Sequence, residues 1–136
     1  MKRIAVDAKI DELDKLLDFV NIELDFHGFP PEAMADVDLA VEEIFINISS
    51  YAYESKNGEV VLCISVSDNE AILRFEDSGK PFNPLEVPAP DLDKPLMERD
   101  IGGLGIHFVK QIMDEIAYFY SDGKNILTLK KGWDDN

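Results

Sequence analysis

Three short stretches of the sequence combine residue types that can bind a ligand. In VEEIFINIS (41–49), Glu43 and Asn47 stand one helical turn apart among Val, Ile and Phe. An i, i+4 pair projects from one helix face, and a carboxylate and an amide beside buried surface cost free energy unless something bonds to them. In DSGKPF (77–82), Asp77 ends an apolar run and Gly79 follows. A carboxylate there can accept a hydrogen bond from an exocyclic amine, while a glycine lets a flat base approach closely. In IGGLGI (101–106), Gly102, Gly103 and Gly105 surround Leu104. Glycines at a helix start leave backbone N–H groups open to a phosphate. Each stretch also has a plain reading, as a surface stripe, a turn and a hinge.

These stretches need elements to hold them. RIAVDA (3–8) alternates as a short strand does. Apolar positions from Ile10 to Leu24 have helical spacing, with a stop near His27-Gly28. Pro30-Pro31 opens a second helix that runs to about Tyr53. On it, Asp36, Glu43, Asn47 and Ser50 fall within roughly 60° of arc at about 100° per residue. That narrow polar stripe lies between apolar collars that include Leu39 and Ile46, which suits the floor of a pocket. Asn57-Gly58 is a turn, and 59–67 and 71–77 form a hairpin around Asp68-Asn69. Five prolines between 81 and 95 predict a long irregular loop. A third helix is expected over 106–116, then strands AYFYS and NILTLKK joined at Asp122-Gly123. Helices and antiparallel strands are segregated, which predicts an α+β two-layer sandwich with a mixed, mostly antiparallel sheet and helices on one face.

The chain has 136 residues, 46% of them apolar, so residues 1–136 fit one domain with one core. Thirteen basic against 28 acidic residues give a formal charge of −15, which argues against nucleic acid or an anionic membrane as partner. No apolar run reaches membrane-spanning length and no signal peptide is evident, so a cytoplasmic location is expected. Cys63, alone inside VVLCISV, reads as a small buried hydrophobe.

The ordered set, a helix with E-x-x-x-N, a strand ending D-x-G-x-P-F and then G-G-L-G opening a helix, resembles the histidine-kinase-like (GHKL) ATPase superfamily. It is most similar to the anti-sigma-factor serine/threonine kinase branch, over nearly the whole chain. The resemblance implies ATP and Mg²⁺ as cofactors. It implies Glu43 as general base, Asn47 as the Mg²⁺ ligand, Asp77 as acceptor for the adenine amine and Gly79 beside the base. Gly102, Gly103, Leu104 and Gly105 would form the lid hinge and phosphate-contacting backbone, and residues 83–101 the lid. Asn125 lies near a position by the adenine where relatives use a threonine. Glu42, about 100° from Glu43 around the helix, is read as a bystander. The implied partners are a sigma factor and an anti-anti-sigma (STAS-type) protein, with a homodimer permitted but marked by no heptad seam.

Two departures qualify the kinase reading. Tyr51 stands where many relatives have histidine, and Ile46 where a small polar residue is frequent. They leave open an alternative: an ATP-binding regulatory module of weak turnover that acts by sequestering a partner. Lys94 and Arg99 in the lid, Asp114, Glu115, Asp134 and Asp135 read as surface charges. His27 and His107 read as structural.

Overall fold

The computed structural model describes residues 1–53, 57–86 and 103–133. Strand β1 (Lys2–Asp7) leads through a short 3₁₀ turn (Ile10–Glu12) into helix α1 (Leu13–Phe26). Helix α2 (Pro31–Asn47) follows and loosens into a π-helical turn, Ile48–Ala52. Strands β2 (Glu59–Ser67) and β3 (Glu70–Asp77) precede a 3₁₀ turn at Pro84–Glu86, helix α3 (Gly103–Ile112), and strands β4 (Glu115–Ser121) and β5 (Lys124–Gly132). The sheet order is β1-β2-β3-β5-β4. Every described pairing is antiparallel, so no parallel pair of a mixed sheet occurs among the described residues.

Local chemistry sets the boundaries. Helix α1 ends in a Schellman motif at Gly28 (φ +79°), where Gly28 N–H donates to Asp25 O and Phe29 N–H to Leu24 O. Asp68 and Asn69 both take positive φ, as a two-residue type I′ hairpin requires, and Asp122-Gly123 repeats this between β4 and β5. The expected continuation of α2 as a regular helix to Tyr53 is not observed. Asn47 Nδ2 donates to Glu43 O (2.7 Å) and Ser49 Oγ to Phe45 O (2.9 Å). Side chains thus compete for the carbonyl ladder, which widens into the π turn. The third helix runs earlier than 106–116, because Glu115 and Ile116 join the sheet opposite Lys130 and Leu129.

Alternate residues of β2 and β3 (Leu62, Ile64, Leu73, Phe75) face the helices and are fully buried with Leu16, Val37, Phe45 and Ile106. Helix α2 packs between α1 and α3. Cys63 is also buried but lies outside this core, on the opposite sheet face beside the Arg74 guanidinium. Asp114 is more than a solvated charge: its Oδ2 accepts the Gly132 N–H at 2.7 Å.

Candidate functional site

Asp77, the last residue of β3, is 5% exposed and opposes Asn125 across the β3–β5 seam. Asp77 Oδ1 accepts the Gly79 N–H (3.0 Å) and the Asn125 amide (Nδ2, 2.9 Å). Asn125, 4% exposed, gives its other amide hydrogen to Lys80 O (2.9 Å). Asn125 Oδ1 accepts from Phe82 N–H (3.0 Å) and from the Tyr118 hydroxyl. No described residue bonds to Asp77 Oδ2. Burial pushes the Asp77 carboxyl above its ordinary value, and the Asn125 and Gly79 hydrogen bonds oppose that shift.

A slot opens beside this carboxylate, lined by Asn47, Ile44, Phe75, Phe82, Tyr118 and Leu127. It is narrow: its volume of about 20 Å³ is roughly what one ordered water needs. Asn47 is 3% exposed. Its Nδ2 gives one hydrogen to Glu43 O, and its Oδ1 has no donor among the described residues. One turn back, the Glu43 carboxylate rests directly on Gly105 in the first turns of α3, where any side chain would overlap it. Burial first, and the neighbouring Glu42 second, raise the Glu43 carboxyl above its ordinary value.

Asn47, Asp77 and Asn125 therefore share one slot, and Glu43 stands beside the opening turn of α3. Gly103, Leu104 and Gly105 open that helix. Gly102, Lys94, Arg99, Asp134, Asp135 and all of the proposed lid except 83–86 lie outside the described residues. Gly79 has a packing reason of its own: a Cβ there would stand 2.5 Å from Ala52 O, which accepts the Lys80 N–H. The polar stripe on α2 is not one floor. Asp36 pairs with Lys131 (3.1 Å) and Ser50 faces solvent, because the stripe is about 21 Å long at 1.5 Å per residue, longer than the slot. His27 bonds Glu23 and His107 contacts Gln111.

Three aromatic residues were missed in the sequence. Tyr118 and Phe82 line the slot, Phe82 stacks on Tyr51 at 5.3 Å, and the Tyr53 hydroxyl accepts the Ser78 N–H and donates to Glu59 O. Strand alternation puts Tyr118 on the face of Ile116, but only the register with β5 brings it to Asn125.

A family model described as "Histidine kinase-like ATPase domain" matches residues 6–131. The chain belongs to this family. Among curated relatives of this histidine kinase-like ATPase is "Serine-protein kinase RsbW" of Bacillus mycoides (strain KBAB4), 27% identical over 107 residues, 76% of this chain and 67% of the relative. The protein of that name from Bacillus anthracis is 28% identical over the same share of each. Among solved structures, the RsbU and RsbW domains of Rv1364c from Mycobacterium tuberculosis superpose with a TM-score of 0.67 at 15% identity. That match covers 97% of this chain and 32% of the other. The histidine kinase domain from the Erythrobacter litoralis EL346 blue-light activated kinase gives 0.55 at 16%, over 88% of this chain and 60% of that one. Over the parts matched, both likenesses support the α+β fold described above.

Proposed function

We propose that this chain is an ATP-dependent protein serine kinase of the anti-sigma type. It sequesters a sigma factor and transfers the γ-phosphoryl group of ATP to a serine of an anti-anti-sigma (STAS-type) partner. The observation that carries the nucleotide half is Asp77 Oδ2, an acceptor without a described partner, on a residue that is 5% exposed and lines an apolar slot, which suits the 6-amino group of adenine. The name of the curated relatives supports the kinase half.

In this reading Glu43 takes the proton of the partner's serine hydroxyl. The serine oxygen bonds to the γ-phosphorus as the bond from that phosphorus to the β,γ-bridging oxygen breaks, and ADP leaves. The raised Glu43 carboxyl suits this task. The N–H groups opening α3 would face the phosphates. Among the described residues, no group of three or more His, Cys, Asp or Glu could hold a metal. A single amide oxygen, Asn47 Oδ1, suits Mg²⁺, an ion that takes most of its ligands from water and phosphate. Bound with ATP, Mg²⁺ would offset the charge on the transferred group. A cytoplasmic setting accords with this activity, and no helix among the described residues is long and apolar enough to cross a membrane.

A second reading, a nucleotide-dependent binding module with little turnover, is favoured by Tyr51 stacking on Phe82, which itself lines the slot. The test is transfer of labelled γ-phosphate to an anti-anti-sigma protein from the same genome. Transfer by the parent, lost in Glu43→Gln, supports the kinase. ATP held without transfer favours the module, and no ATP binding at all rejects both.

A further inference from the structure

An asparagine amide has two donor hydrogens and two acceptor lone pairs. At Asn125 all four are used: Nδ2 serves Asp77 Oδ1 and Lys80 O, while Oδ1 serves Phe82 N–H and the Tyr118 hydroxyl. Two of these partners fix which way the amide faces. The Phe82 N–H can only donate and the Lys80 carbonyl can only accept, so Nδ2 must lie on the Asp77 side. Tyr118 lies diagonally across from Asn125 on the same face of the β4–β5 pair and fills the remaining lone pair. A fully bonded amide has nothing left to offer a base or a phosphate. Its effect falls on Asp77 instead. With Asn125 and Gly79 both bonded to Oδ1, the carboxylate cannot turn without breaking two hydrogen bonds, and Oδ2 is left for the slot.

We propose that Asn125 is a positioning residue which, steadied by Tyr118, holds Asp77 so that Oδ2 alone meets the base, and thereby sets selection for a base bearing an exocyclic amine. This rests on the nucleotide reading above, and it departs from the expectation that Asn125 itself touches the nucleotide.

The test compares Mg-ATP with the Mg-triphosphate of purine riboside, the same base without its 6-amino group. Affinities are measured calorimetrically on parent, Asn125→Ala and Tyr118→Phe, after melting each without nucleotide to establish that it is folded. The parent should prefer ATP by on the order of 10- to 100-fold, the worth of a hydrogen bond to a charged acceptor. Asn125→Ala should bring that preference to within about threefold of unity while affinity for the amine-free triphosphate stays the same. Tyr118→Phe, which keeps the ring and loses one hydrogen bond, should lower the preference by about threefold. In an Asp77→Ala background, Asn125→Ala should add no further loss. Equal losses on both nucleotides in Asn125→Ala, or an unchanged preference in the folded variants, would overturn the proposal. If Asn125→Ala does not fold, an unchanged preference in Tyr118→Phe overturns it alone. A parent that binds neither triphosphate rejects the nucleotide reading itself, an outcome the parent titration separates from the others.

Discussion

Burial and the adjacent Glu42 both keep the Glu43 carboxyl above its ordinary value, so the two glutamates have separable effects. Glu43→Gln keeps size and polarity but cannot take a proton. It should lower phosphoryl transfer by roughly 10²–10⁴ and leave ATP affinity nearly unchanged. Asn47→Ala should do the reverse first, weakening Mg-ATP binding in a titration and activity with it. The base works ionised, so the rate should fall as pH drops through the raised Glu43 value. Glu42→Gln removes a like charge, lowers that value, and should move the acid limb of the pH–rate profile to lower pH. If Glu42→Gln instead abolishes transfer while Glu43→Gln transfers at the parent rate, the assignment between these neighbours is reversed. Helical geometry alone separated the two in the sequence. What the sequence did not reveal was Gly105 under the Glu43 carboxylate, a contact between residues 62 positions apart.

Two glycines at element boundaries meet different obstacles. A Cβ on Gly79 would press on the Ala52 backbone carbonyl at 2.5 Å, whereas one on Gly105 would displace the Glu43 side chain. Gly79→Ala should therefore lower thermal stability by roughly 1–3 kcal/mol, as overpacking against a fixed backbone does. Gly105→Ala should change stability by less than about 1 kcal/mol, since helix propensity improves, yet cut phosphoryl transfer by moving the base. Elements with local causes were legible in the sequence: the Gly28 stop, the Pro30-Pro31 start, and both tight hairpin turns. The π turn after α2 depends on two side chains taking backbone carbonyls, which periodicity does not report. The early end of α3 was hidden for a similar reason, because Ile116 fits a helix face by spacing and a strand by pairing. Tyr118 could be placed on a strand face but not beside Asn125, since that neighbour is set by strand register.

Across the whole molecule, ionisable groups oppose one another. Glu23 lies below its ordinary value, chiefly through the hydrogen bond from Lys2, with His27 assisting. Its stabilisation is complete above the unfolded carboxylate range and is lost as pH falls through its lowered folded value. Asp38, Glu43 and Asp77 are raised, each mainly by burial. Their penalty stands at neutral pH and lifts as acidification reaches their raised values. The formal charge of −15 is also relieved in that direction. The melting temperature should thus rise on mild acidification from neutrality, pass a maximum, and fall once Glu23 is protonated; a steady fall from neutral pH would contradict this balance. The sheet order has a kinetic consequence. Strands β2–β3 and β4–β5 are local hairpins, but the seam joining them brings together Asp77 and Asn125, which are 48 residues apart. Closing so long a loop costs entropy, so this seam should form late in folding. A nucleotide that needs the completed seam cannot assist the climb to the barrier. In stopped-flow experiments ATP should leave the refolding rate unchanged and slow unfolding by nearly its full stabilisation, so that the bound protein persists longer without ever folding faster.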